Sequence, residues 1–193
     1  MDAHKLQVKV FAHSHDGINA ETFIPIFHAW IKNHVLPDLL FDVANYAHVP
    51  KGPGVVLIGH EYDTFIDEAE GRLGVLHNRK RGGAGAADRV ADAFRRALQA
   101  AALLEADPAL SGKLKFSTGE FLVRVNDRLA APNDAATFAA LAPELEAFGK
   151  TLFGGPVTLK QTGEAKSLFG VTISGAPAAD LKTLLSRLGG PAS

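Results

Sequence analysis

Two glycine-bounded segments constrain the fold more than any other feature of the chain. Gly54-Val55-Val56-Leu57-Ile58-Gly59 returns in kind as Gly170-Val171-Thr172-Ile173-Ser174-Gly175, and Gly83-Ala84-Gly85-Ala86-Ala87-Asp88 returns as Gly175-Ala176-Pro177-Ala178-Ala179-Asp180. In the later instance the two motifs share Gly175, whereas in the earlier one residues 60 to 82 stand between them. Self-similarity of this kind reads as a duplicated unit with an insertion in one copy.

The order of elements fits that reading. Leu6, Val8 and Val10 alternate with Gln7 and Lys9, the period of a strand with one buried face, which ends in Ala12-His13-Ser14-His15-Asp16-Gly17. Phe23, Ile26, Phe27, Trp30 and Ile31 follow at helical spacing, with Pro25 tolerated in the first turn. A second strand is expected over 39–48 and, after the Pro50-Lys51-Gly52-Pro53 turn, a third from Gly54 to about Ile66. Residues 72 to 81 return antiparallel across a Glu68-Ala69-Glu70-Gly71 turn, so 60–82 is expected to protrude as a β-arm. A second helix carries Val90, Phe94, Ala97 and Leu104 inward, with Asp92, Arg95, Arg96 and Gln99 on its wet side.

The remaining chain gives strands at 113–116 and 121–125 about a Ser117-Thr118-Gly119-Glu120 turn, a third helix through Phe138 and Leu145, two further strands and a final helix. Val8 and Val123 each lie fifteen residues before the first large apolar residue of the following helix, Phe23 and Phe138. The expected class is therefore α+β. Two tandem, diverged ferredoxin-like βαββα units cover 1–118 and 119–193, packed as one body, with the first carrying the arm.

Composition narrows the chemistry. Twenty basic against 21 acidic residues supply no general field for a polyanion, so no nucleic acid partner is expected. The absence of cysteine removes disulfides and thiolate chemistry. No run approaches a membrane span and residues 1 to 6 lack the apolar stretch of a signal peptide, so the expectation is a cytoplasmic protein without a membrane partner.

All eight histidines lie at or before His77, which places any imidazole chemistry in the first half. One candidate set is His13, His15, Asp16 and His48, a nitrogen and carboxylate group suited to zinc or manganese if the ends of strands one and two come together. A second is the arm, with His60, Glu61, Tyr62, His77, Arg79 and Arg81 as partner- or ligand-binding residues. A hairpin register pairing His60 with Arg79, Glu61 with Asn78 and Tyr62 with His77 is expected there. His60 and Glu61 point to opposite faces of a regular strand, against an acid–base dyad. The run from Arg79 to Gly85 resembles a phosphate loop only in part, because its counterpart at Gly175 has no basic residue. The leading expectation is a non-enzymatic protein that binds a partner or small molecule and forms homo-oligomers. The alternative is a divalent-metal-dependent enzyme using histidines of the first unit.

Overall fold

The computed structural model describes residues 5–15, 17–49, 52–80, 89–110 and 112–189. In chain order the elements are β1 (Leu6–His15), α1 (Phe23–Asn33), β2 (Leu40–Tyr46), β3 (Gly54–Gly59), β4 (Tyr62–Asp67), β5 (Gly74–Arg79), α2 (Arg89–Ala106), β6 (Leu114–Val125), α3 (Ala135–Phe153), β7 (Val157–Thr162), β8 (Phe169–Gly175) and α4 (Leu181–Arg187). The class is mixed α+β. All eight strands join one sheet in the order β2-β3-β4-β5-β1-β6-β8-β7, and every neighbouring pair is antiparallel.

Local chemistry explains the boundaries. Asp134 and Asp180 each accept a hydrogen bond from the backbone N–H three residues on, at 2.8 and 2.7 Å, and so start α3 and α4. Gly154, at φ 70°, ends α3, and His34 ends α1 in the left-handed region at φ 49°. Both glycine-bounded segments are strands, β3 and the body of β8.

Directly opposite residues of an antiparallel pair share a face. One face of the sheet therefore carries Leu57, Val75, Val8, Val123 and Val171, which form a continuous core with Phe27 and Trp30 of α1, Phe94 of α2, Leu145 of α3 and Leu184 of α4. Phe94 and Phe121 meet edge-on at 5.5 Å, and the Phe121 and Phe153 rings lie tilted at 5.7 Å. Val8 lies directly opposite Val123 at the centre of the sheet. Because all neighbours are antiparallel, β6 and β7 run parallel with β8 between them, and β1 and β2 run parallel with three strands between them.

The structure corrects the expected arm. Residues 54 to 66 are not one strand; β3 pairs with β4 through a tight turn at His60-Glu61, with Ile58 opposite Asp63. β5 then pairs with β4 on one side and β1 on the other, and every residue of β5 is buried. Residues 62 to 79 thus widen the sheet from within instead of leaving it. Burial of both faces, Val75 and His77 on one and Leu76 and Asn78 on the other, removes the wet face that a protruding ribbon would show.

The turn expected at Ser117-Glu120 is likewise absent, since β6 runs through it. There Val10 pairs with Phe121 and Ala12 with Phe116, so four residues of β6 bulge against Phe11 alone. A boundary at residue 118 falls inside this strand.

One glycine is required by close approach. Gly54 has φ 70°, and a Cβ there would sit 2.0 Å from the carbonyl oxygen of Ile66 across the β3–β4 pair. Gly54→Ala is expected to destabilise the fold by about 2 kcal/mol or more. Gly155→Ala, where nothing lies within 4 Å, is the control and is expected to be neutral in urea denaturation.

Candidate functional site

The β4–β5 hairpin places polar residues where the alternation calls for apolar ones. Tyr62 lies opposite Arg79, Thr64 opposite His77, and Ile66 opposite Val75. Ile66 and Val75 belong to the core, so this whole row faces the helices. Over it lie the first turns of α2 and the Leu36-Pro37-Asp38 loop that follows α1. Tyr62, His77 and Arg79 are 3%, 3% and 1% exposed.

The groups interlock. The Tyr62 ring stacks on the His77 imidazole at 4.8 Å, and its hydroxyl donates to Asp92 Oδ2 at 2.7 Å. Arg96 donates from Nε to both Asp92 oxygens at 3.3 and 3.4 Å and from a terminal nitrogen to Asp38 Oδ1 at 2.9 Å. Its guanidinium lies 4.2 Å from the Tyr62 ring centre, and that of Arg79 lies 5.9 Å away. Thr64 Oγ1 and His77 Nδ1 are 3.3 Å apart.

Burial sets the protonation states. It is the main cause holding the His77 imidazole down at about 3, with the Arg96 charge adding to it, so the ring is neutral near pH 7. It also pushes the Tyr62 phenol up to about 12, helped by the hydrogen bond to Asp92. Asp38 is raised by burial despite Arg96. For Asp92 burial is the largest single influence and acts upward, but the Tyr62 hydrogen bond and the Arg96 charge together hold the carboxyl below its usual value. The result is a neutral imidazole and a protonated phenol around an Arg96 clamp on two carboxyl groups.

Tyr62, His77 and Arg79 of the second candidate set therefore converge, but not with the expected register. The pairing is displaced by two residues, Tyr62 opposite Arg79 and not His77, and Tyr62 reaches His77 as a diagonal neighbour. His60 stays outside, exposed in the turn with its ring 6.1 Å edge-on to Phe41. Glu61 is half-buried and its carbonyl accepts from the Lys80 N–H at 2.9 Å. Arg81 and Asp16 lie outside the described residues.

Asp38, Thr64, Asp92 and Arg96 complete the cluster and are not in either candidate set. Asp92, Arg96 and Gln99, expected on the wet side of α2, are half-buried. The signal for them is the mismatch at Thr64 and His77, polar residues on an inward face, which demand polar partners from whatever covers them.

His13 and His15 are both exposed near the end of β1. His48 follows β2, four strand spacings from β1, or roughly 19 Å across the sheet at the usual inter-strand distance. The parallel course of β1 and β2 is as expected, but the three strands between them separate the histidines. Among the described residues no three His, Asp or Glu side chains are grouped to hold a metal ion. An open groove of about 1020 Å³ does lie at this end of the sheet, between Ile18-Asn19-Ala20 and Tyr46-Ala47, but none of these histidines lines it.

The helix-free face carries a separate ionic cluster. Lys9 is fully buried there; its ammonium lies 2.6 Å from Asp67, 3.0 Å from Glu70 and 2.7 Å from the Ala69 carbonyl oxygen. Arg124 also pairs with Glu70, and Arg72 with Glu120 at 2.7 Å. The Arg72 guanidinium covers the Phe11 ring at 3.9 Å.

Among the described residues, large apolar side chains are exposed at a limited set of places. Val35, Leu39, Phe41, Tyr46 and Val49 surround the edge strand β2, and Leu129 stands apart. Among the described residues no helix is long and apolar enough to cross a membrane. No protein-family model, no curated protein and no solved structure matches the chain.

Proposed function

We propose that the chain is a non-enzymatic, partner-binding protein that associates with a second copy of itself along β2. Its two halves, β1 to α2 and β6 to α4, are on this reading diverged copies of one ferredoxin-like βαββα unit, with the β4–β5 hairpin inserted into the first.

The observation that carries the assembly is the gathering of Val35, Leu39, Phe41, Tyr46 and Val49 around a sheet edge that no strand among the described residues pairs with, Leu39 at 64% and Phe41 at 55% exposure. An edge strand with an apolar border is costly to leave in water and is a ready template for another chain. The opposite edge, β7, alternates in burial and carries Lys160 at its middle. Asp42 works against unrestrained pairing, because its carboxylate takes up the Val43 N–H at 2.8 Å. Side chains, more than backbone ladders, thus lead the contact. The duplication is supported by Val8 facing Val123 at the centre of the sheet and by the matched burial of Val55 and Leu57 in β3 with Val171 and Ile173 in β8.

Light scattering behind size exclusion tests the assembly. The native chain is expected to run as a dimer, and Phe41→Asp to weaken association by about 2 kcal/mol, roughly 30-fold, while keeping the native far-UV circular dichroism. A native chain that stays monomeric at high micromolar concentration overturns the proposal.

A further inference from the structure

The Tyr62–His77 cluster leaves one buried polar atom unaccounted for. His77 Nδ1 has Thr64 Oγ1, but Nε2, with no exposed surface, meets no hydrogen-bond partner among the described residues. An orphaned ring nitrogen at full burial costs on the order of 1–3 kcal/mol, so such atoms in folded proteins are nearly always satisfied by something. His77 borders a small cavity of about 10 Å³, walled by Leu36, Pro37, Asp38, Thr64, Arg96 and Gln99. That is the space of a single water, and an internal water needs two to four polar partners. The residues that line it carry an imidazole, a hydroxyl, a carboxyl, a guanidinium and a carboxamide.

We propose that this cavity is a built binding site for one internal water, held by His77 Nε2 and by the polar groups of Asp38 and Gln99. The alternatives on size are few. A monovalent cation meets Arg96 at the wall, whose fixed positive charge opposes it. A substrate has no room beside Leu36 and Pro37. In the assigned arrangement Thr64 donates to His77 Nδ1, Nε2–H donates to the water, and the water donates onward to Asp38 and the Gln99 carbonyl. The water then bridges three elements at once: β4–β5 through His77, α2 through Gln99, and the α1–β2 loop through Asp38. It acts beside the Arg96–Asp38 pair to hold that loop down.

Water-to-protein NOE spectroscopy on the full-length native chain, with ¹⁵N shifts of the His77 ring, tests this directly. The expected result is a cross-peak between a long-lived water and the His77 ring protons, with Nε2 protonated and hydrogen-bonded in a neutral ring at pH 7. Gln99→Leu is expected to weaken or abolish the cross-peak and to raise amide exchange of residues 36 and 38 to 40 by roughly tenfold, the equivalent of about one hydrogen bond. A dry cavity in the native chain, shown by no cross-peak to the His77 ring, overturns the proposal. So does a structure in which Nε2 bonds a side chain from residues 81 to 88, or one in which the guest is an anion that bromide replaces.

Discussion

Lys9→Met is expected to destabilise the protein by about 3–5 kcal/mol, the usual cost of removing one partner of a buried ion pair. The methionine fills nearly the same volume, so packing contributes little. What remains is Asp67, only 6% exposed, with its carboxylate facing a thioether in place of an ammonium 2.6 Å away. Glu70 is better placed, since it is exposed and keeps Arg124. The double variant Lys9→Met with Asp67→Leu removes both charges and is expected to recover most of the loss, because burying the pair costs each ion its hydration. Burial already holds the Lys9 ammonium below its ordinary value in spite of Asp67, which marks the desolvation as the larger effect. Urea denaturation of the two variants decides the matter. A single variant within 1 kcal/mol of the native chain, on the order of the scatter for surface changes, would mean that the pair is dispensable.

The second large effect is a loss of stability in mild acid that belongs to one imidazole. Burial lowers the His77 pKa in the folded protein to about 3, from an ordinary value of 6.5. The unfolded chain therefore takes up a proton that the folded chain refuses. Stability from this group is complete above pH 6.5 and declines as the pH falls from there toward 3, by about 1.4 kcal/mol for each unit. Between pH 7 and pH 5 the native chain is expected to lose about 2 kcal/mol more than His77→Gln, whose side chain does not titrate. Asp38, Asp92, Tyr62, Arg79 and Arg96, which surround the ring, are present in both proteins, so their contributions largely cancel in the difference. Equal slopes in the two proteins would show that the ring is protonated, and paired, in the folded state.

How much of this was legible in the sequence depended on how local the cause was. The strand period at Leu6 to Val10, the helical stripes and the two glycine-bounded strands are set within a few residues, and they stand where the pattern puts them. The β4–β5 hairpin was legible as a pair of strands but not in position. Whether a hairpin leaves a sheet or enters it depends on what covers both of its faces, and here those covers come from α2, β1 and the turn at Ala69–Gly71. The same distance effect hid half of the polar cluster. Tyr62, His77 and Arg79 were visible as unusual residues on one hairpin, whereas Asp92 and Arg96 looked like the wet side of an ordinary amphipathic helix. Their partner Asp38 lies 58 residues before Arg96 and reaches it only because the α1–β2 loop lies beside α2. His13 and His15 stand apart from His48 for the complementary reason: a shared strand direction brings the ends of β1 and β2 to one edge of the sheet, but three intervening strands set the lateral distance.

The place of β1 in the sheet has a consequence for how the chain assembles. It is the earliest strand in sequence, yet it lies between β5 and β6, so neither of its neighbours exists until 68 and then 108 residues later have been made, as the β1-to-β5 and β1-to-β6 starts at Leu6, Gly74 and Leu114 show. On a ribosome the segment carrying Val8 and Val10 has no ladder to join while α1, β2 and β3 emerge. Closing the sheet around it is a late, long-range event of the kind that slows folding. Slow refolding is expected from that order of strands.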